Sequence, residues 1–314
     1  MEIKYEEMLE FEKKIKLGSM PYAVIVEPTS YCNLHCKMCM NKSMKRHKGY
    51  MKDELYKKII DELAEKHPSV SLWLNGMGEP ILDRSLSEKI RYAHNKGLTN
   101  ISVNTNATLL TKESAEEIVD SGLNQIVCGI DAYDKEIYES IRMGGDRDKV
   151  YENINYLLEL VNTRPGCGLK VEVQQIEMED NREDQAKFTE YWRGRGAYLK
   201  IIPYHTWLGW AEGQWKVGGK RIACSKINMF QIFWDGTVPL CGCDYEARSA
   251  IGNINESSIE ELWSIMKNNL GVLHIDHRFD ELPIWCQNCT DWIMHESRIY
   301  DADGNLIEKK LVSI

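Results

Sequence analysis

Seven of the ten cysteines in this chain fall into two groups whose spacing could hold metal. Cys32, Cys36 and Cys39, in EPTSYCNLHCKMCM, follow the pattern C-x3-C-x2-C. Three thiolates are one fewer than a structural zinc or an ordinary cubane cluster needs, so a cluster held this way keeps one iron open to a ligand. The competing reading of the same residues is a zinc site completed by His35 or His47. Cys224, Cys241, Cys286 and Cys289 form C-x16-C-x44-C-x2-C, with Gly236 five residues before Cys241. Four thiolates close a site, either as Zn(Cys)4 or as a fully ligated 4Fe-4S cluster. Three thiols remain. Cys128 lies in an apolar run and reads as a small core residue, and Cys167, in RPGCG, reads as a loop thiol. Cys243, two residues beyond Cys241, has three readings: a hydrogen-atom donor, a ligand in place of Cys241, or an inert packing thiol.

The scaffold that must position these thiols is written in the hydrophobic pattern. From residue 20 onward, apolar β-branched runs alternate with amphipathic helical stretches, as in successive βα units around a parallel sheet. Strands are expected at Ala23-Glu27, Ser71-Asn75, Asn100-Asn104, Gln125-Ile130, Lys170-Ile176 and Leu199-Pro203, with helices such as Lys52-Lys66 and Lys112-Ser121 between them. Six units predict an α/β fold, a partial (βα)6 TIM-like barrel, with chemistry at the C-terminal ends of the strands. Cys32, Cys36 and Cys39 follow the first of those strands directly. Beyond Trp215 the pattern changes to a glycine-rich joint (Val217-Gly219), a hairpin (Phe230-Trp234, turn at Asp235-Gly236, Val238-Cys241), a helix near Ser258-Asn268 and a cysteine-bearing tail. The expected division is an N-terminal helix over 1–19, the barrel over 20–215 and a small C-terminal domain over 216–314. The aromatic stretch Tyr204-His205-Thr206-Trp207-Leu208-Gly209-Trp210, with Trp215, follows the sixth strand. Its rings either stack on a substrate, with His205 accepting a proton, or plug the barrel against the C-terminal domain.

C-x3-C-x2-C in the loop after the first strand of a βα barrel resembles the radical S-adenosylmethionine (SAM) superfamily. The resemblance implies that SAM chelates the open iron and is cleaved by an electron from the cluster, giving a 5'-deoxyadenosyl radical that abstracts hydrogen from substrate. Gly76-Met77-Gly78-Glu79-Pro80 resembles the family's GGE segment, which implies close backbone approach at Gly76 and Gly78 and a carboxylate, Glu79, for the SAM ammonium. Met77 stands where the family has a glycine. Asn104-Thr105-Asn106 is similar to the TN segment beside the ribose and makes Asn104 and Asn106 candidates there. Gly129-Ile130-Asp131, followed by Tyr138-Glu139-Ser140-Ile141-Arg142, resembles the family's S-x-D and Y-x-x-x-R patterns, so Arg142 would face the SAM carboxylate. Here Gly129 replaces the family's serine. The run from Cys224 to Trp292, with WDGTVPLCGCDY, IGNINESSIEELW and WCQNC, resembles the SPASM/twitch module. The short twitch form, which holds one auxiliary 4Fe-4S cluster, is nearer, because the further cysteines of the full SPASM form are absent after Cys241. Similar cysteine spacing occurs in twitch-type dehydrogenases that oxidise a cyclitol alcohol to a ketone.

Composition narrows the partners. A net charge of -9 argues against nucleic-acid backbone, whose affinity comes from clustered cations. The one basic run, Lys42 to Lys48, reads as a solvated loop or as a phosphate or substrate contact. No window approaches the ~18 uncharged apolar residues of a membrane span, and ten cysteines without an export signal point to metal ligands in the cytoplasm. The expected partners are a sugar- or cyclitol-like substrate, or a peptide, and an electron donor such as flavodoxin or ferredoxin. Three enzymatic outcomes stand beside a zinc-stabilised binding module. They are oxidation of an alcohol carbon with the auxiliary cluster taking the electron, epimerisation with Cys243 as donor, and modification of a ribosomal peptide. The last is disfavoured by the short stretch before residue 20, which leaves no room for a leader-binding domain.

Overall fold

Short runs rich in Val, Ile and Leu form a parallel sheet because every second side chain finds helices to bury against. In the computed structural model, which describes residues 5–204, 220–292 and 294–313, these runs are β1 (Ala23–Val26), β2 (Ser71–Leu74), β3 (Ile101–Thr105), β4 (Gln125–Gly129), β5 (Lys170–Glu177) and β6 (Tyr198–Pro203). They pair in chain order and in parallel, with Val26 opposite Leu74 and Gly129 opposite Gln174. The helices are α1 (Tyr5–Glu12), then α2 (Asp53–Lys66), α3 (Leu86–Asn95), α4 (Lys112–Val119), α5 (Lys135–Ile141), α6 (Arg147–Thr163) and α7 (Gln185–Trp192). Val24, Val26, Leu72, Leu74, Val103, Ile126, Cys128, Val171 and Val173 share one core with Ile59, Leu63, Ile90, Ile154, Leu157 and Trp192 from the helices. Cys128 is therefore the core residue its sequence context implies. The alternate strand positions, among them Trp73, Ser102, Asn104, Glu172, Gln174 and Lys200, belong to the other face of the sheet. This is a partial TIM barrel with a polar inner face.

The C-terminal segment departs from the expected hairpin. The turn at Asp235-Gly236 forms, with Gly236 at φ 88° and its N–H donated to the Phe233 carbonyl. Its flanks, however, go to different sheets. β7 (Met229–Ile232) pairs in parallel with β1, whereas β8 (Thr237–Pro239) pairs antiparallel with β9 (Ala250–Asn253). Phe230 and Ile232 explain the exchange, because on the edge of the barrel they enter the main core beside Trp263, and Phe230 meets that ring edge-on at 6.3 Å. After α8 (Ile259–Met266), capped reciprocally by Ser258 and Glu261, a π turn over Lys267–Gly271 leads into α9 (Val272–Ile275). Next come α10 (Ile284–Gln287), β10 (Met294–Tyr300) and β11 (Leu306–Ser313). β10 pairs antiparallel with β6, so chain beyond residue 220 adds strands to both edges of the barrel sheet. The joint Val217-Gly219 lies outside the described residues. Among the described residues, no helix is long and apolar enough to cross a membrane.

Candidate functional site

The loop after β1 is held from several sides, which is what three thiols at fixed separation require. Asn41 donates to the carbonyls of Ser30 at 2.8 Å and Met77 at 2.6 Å, while the Lys48 ammonium donates to Asn41 Oδ1 at 2.7 Å. Leu34, Cys36, Met38 and Ile141 form an apolar bed on which Cys32, Cys39 and Tyr204 also pack. Each thiol has an N–H directed at it: Asn106 Nδ2 is 4.0 Å from Cys32 Sγ, Arg142 Nη1 is 3.9 Å from Cys36 Sγ, and the Asn41 amide is 3.4 Å from Cys39 Sγ. Burial pushes all three thiols up, Cys39 to about 11.

The ends of β2, β3 and β4 converge on this loop. A Cβ at Gly78 would stand 2.1 Å from the Thr29 carbonyl oxygen, and one at Gly76 would stand 2.6 Å from Glu27 Cγ, so the turn must be bare to approach the cysteine loop. Met77, the departure from the family pattern, is buried against Met44 and Tyr245 and so ties this turn to the C-terminal module. Glu79 is buried, and burial raises its carboxyl despite donors from the Asn106 amide at 2.7 Å, the Thr105 hydroxyl at 2.7 Å and the Ile81 amide at 3.1 Å. It therefore joins β2 to β3 in addition to any contact with an ammonium. Asn106 turns its amide toward Asn33 at 3.0 Å as well as Cys32.

Arg142 Nε donates to Asp131 Oδ2 at 2.6 Å. Burial works against the guanidinium charge, but Asp131, then Cys36, outweigh it and hold the group above its ordinary range. Asp131 adopts φ 67°, and its other oxygen accepts the Ile176 amide at 2.7 Å. The absent family serine now has a physical explanation: a Cβ at Gly129 would stand 2.5 Å from Arg142 Nη2, so the guanidinium fills the space a serine would take.

At its centre the basic run is not a solvated loop. Arg46 pairs with buried Glu27 at 2.6 Å, donates to the Tyr245 carbonyl at 2.6 Å and lies 4.0 Å over the Phe233 ring.

The second group gathers around one cavity with an empty volume of about 350 Å3, part of it open to solvent. Among the described residues, Cys224, Cys241, Cys243, Cys286 and Cys289 all line it, so Cys243 is a fifth thiol of this cavity. Lys226 Nζ is 3.1 Å from Cys243 Sγ, Arg221 Nη2 is 3.4 Å from Cys286 Sγ, and the Asp291 amide is 3.3 Å from Cys289 Sγ. Burial opposes the Lys226 charge, but Cys243 and Asp291 outweigh it and lift the ammonium above its usual range. Burial also pushes the Cys224 thiol up to about 12. His274, on α9, touches Cys286 at 3.4 Å, and burial, then Arg221, lowers it to about 3, leaving a neutral ring. Sequence reasoning missed Arg221, Lys226, Asp291 and His274. The first three lie two or three residues from a cysteine, a signal that could have found them, whereas nothing local marks His274. Tyr204 packs on the N-terminal cysteine loop, and burial, then Asp291 and Cys39, raises its phenol, which places it between the two sites. His205 and the aromatic residues through Trp215 lie outside the described residues. Cys167 is half-buried against the main core.

Two buried polar atoms test whether bound groups fit here. Among the described residues, Arg221 Nε at the C-terminal cavity and Asn104 Oδ1 at the end of β3 have no hydrogen-bond partner. Each would be satisfied by an added group, a cluster sulfur accepting from Arg221 and a hydroxyl donating to Asn104. These two hydrogen-bonding positions therefore fit the groups that the sequence pattern implies.

Residues 26–172 match the family model of the Radical SAM superfamily, and residues 224–290 match that of SPASM, an iron-sulfur cluster-binding domain. The chain thus carries a Radical SAM domain followed by a SPASM domain. The first domain implies SAM and a 4Fe-4S cluster, and the second implies an auxiliary iron-sulfur cluster. Over 153 residues it is 29% identical to the tungsten-containing aldehyde ferredoxin oxidoreductase cofactor-modifying protein of Pyrococcus furiosus, covering 47% of this chain and 42% of that one. Over 192 residues it is 28% identical to a probable GTP 3',8-cyclase of Methanocaldococcus jannaschii, covering 61% of each. This radical SAM chain thus spans less than two thirds of either relative. In fold it is similar to BtrN in complex with AdoMet and 2-DOIA, at TM-score 0.60 and 17% identity over 86% of this chain and 93% of that one. It is also similar to Streptococcus suis SuiB bound to its precursor peptide SuiA, at TM-score 0.64 and 15% identity over 82% and 68%. At such identities the likeness is one of fold.

Proposed function

We propose that this radical SAM enzyme is an oxidoreductase that converts an alcohol carbon of a sugar- or cyclitol-like small molecule into a carbonyl. The observation that carries this reading is the C-terminal cavity, where thiols sufficient for one auxiliary cluster meet two cations, Lys226 and Arg221. When bound, SAM with its cluster supplies a radical that takes one hydrogen atom from the carbinol carbon, and the auxiliary cluster supplies the sink for the electron left after the hydroxyl proton departs. Cations beside that sink favour the state with the extra electron, which is what an acceptor needs and a purely structural site does not.

In this reading Cys32, Cys36 and Cys39 hold the SAM-binding cluster. Gly76, Gly78, Glu79, Asn104, Asn106 and Arg142 form the surface that SAM meets. Arg142 is oriented and kept charged by Asp131, which leaves Nη2 to meet a carboxylate. Cys224, Cys241, Cys286 and Cys289 hold the auxiliary cluster, with Cys241 chosen over Cys243 by its spacing from Gly236. The polar inner face, with Ser102, Glu172, Gln174 and Lys200, suits a hydroxylated molecule better than an apolar one. BtrN, whose complex holds AdoMet and 2-DOIA, shares this fold and supports a small substrate. Cys243 is buried and donor-bonded at the auxiliary cavity, which argues against its delivering hydrogen to a substrate in the barrel. The electron donor is expected to be a flavodoxin- or ferredoxin-type protein.

The test is anaerobic incubation of the loaded enzyme with SAM, reductant and a panel of amino sugars, cyclitols and nucleotide sugars in deuterated water, followed by mass analysis. A product lighter by two hydrogens, formed with 5'-deoxyadenosine, supports the proposal. A product of unchanged composition that has gained deuterium shows an epimerase instead, and turnover of peptides alone shows a peptide modifier.

A further inference from the structure

Two side-chain donors converge on Cys286. His274 Nε2 is 3.4 Å from Cys286 Sγ, while His274 Nδ1 is 3.2 Å from the backbone nitrogen of Cys224. A backbone N–H can only donate, so Nδ1 is the accepting nitrogen and the ring proton resides on Nε2, facing the sulfur. The ring is 1% exposed and meets Phe279 edge-on at 5.9 Å, which leaves it little freedom to turn. Arg221 reaches the same sulfur and is itself held by the Gln287 carbonyl at 3.0 Å. The fold prepares this contact: the π turn before α9 adds a residue to the helix, and Leu270 and His274, four apart, both face the cavity.

We propose that His274 is a positioning residue for the auxiliary cluster, a neutral Nε2–H donor to the Cys286 thiolate that, with Arg221, raises the cluster's reduction potential and so fits it to accept an electron. The proposal rests on Cys286 being a ligand of that cluster. Each electron added to a cluster increases the charge on its sulfurs, so an N–H donor binds the reduced state more tightly than the oxidised one. A neutral donor achieves this with a directed dipole and no further charge in a cavity that already holds Lys226 and Arg221.

The experiment is a redox titration of the holoenzyme followed by EPR, comparing His274→Phe, which keeps a ring and removes the donor, with His274→Gln, which restores an N–H. The auxiliary midpoint is expected to fall in His274→Phe and to recover in part in His274→Gln, with iron content and the midpoint of the SAM-binding cluster unchanged. Equal auxiliary midpoints in the wild-type and His274→Phe enzymes overturn the proposal. Should His274→Phe fail to load, pulsed EPR of wild-type holoenzyme with isotopically labelled histidine decides instead. A nitrogen coupling at the auxiliary cluster that disappears in His274→Gln supports the contact, and its absence refutes it. Cys286→Ala separates the premise from the inference: retention of full iron content shows that the ligand assignment, and the proposal with it, fails, whereas loss of the auxiliary cluster leaves the titration to judge His274.

Discussion

Arg46→Ala should destabilise this enzyme far more than any exposed charge deletion, because one guanidinium joins the cysteine loop to the C-terminal module. It pairs with Glu27 at 2.6 Å, with the two side chains 11% and 0% exposed. Glu27 in turn accepts the Met77 amide at 2.9 Å and the Trp234 amide at 3.2 Å. Without Arg46 the carboxylate stays buried with only neutral donors, and removing one partner of a buried pair costs about 3–5 kcal/mol. At ~2 °C per kcal/mol, the low end of the range for large chains, melting should fall by roughly 6–10 °C. Lys66 makes an equally short pair with Glu260, 2.7 Å, but those side chains are 37% and 62% exposed. Lys66→Ala should therefore cost far less, because solvent screens an exposed pair. The double variant Arg46→Met with Glu27→Gln should recover much of the loss, because no unpaired charge is left inside. Calorimetry of anaerobically loaded protein checks this. If Arg46→Ala melts no lower than Lys66→Ala, the buried-pair reasoning is wrong.

Two further outcomes follow from the sites. Gly129→Ser places a side chain where Arg142 Nη2 lies 2.5 Å from the Cβ position, so SAM affinity should weaken at least about tenfold, ~1.4 kcal/mol, with iron content preserved; an unchanged dissociation constant by equilibrium binding would sink this. Cys241→Ala should lose the auxiliary cluster, whereas Cys243→Ala should keep both the cluster and turnover, as read by iron analysis and product formation; the reverse pattern would make Cys243 the ligand.

The barrel was legible because its six strands carry short apolar runs between amphipathic helical stretches, and the first cysteine group followed the first strand directly. The C-terminal pairing was less legible. FQIFWDGTVPLC has the composition of a hairpin, but Phe230 and Ile232 gain more by extending the barrel beside β1 than by pairing with Thr237–Pro239. No local rule weighs those two options, since the partner strand is some 200 residues away in sequence. The same distance hid Arg46, whose partners Glu27 and Tyr245 come from opposite parts of the chain, and His274, whose helix reveals its role only once it is placed against Cys224 and Cys286. The Gly129 departure became intelligible only when Arg142 was seen in the space a serine would take.

The most direct test of the central claim is a single turnover with substrate in which the SAM-binding cluster is reduced by limiting reductant and the auxiliary cluster is followed by EPR or Mössbauer spectroscopy. The account predicts that 5'-deoxyadenosine, a product lighter by two hydrogens and a reduced auxiliary cluster appear together in equal amounts. Product and 5'-deoxyadenosine formed while the auxiliary cluster stays oxidised would contradict it.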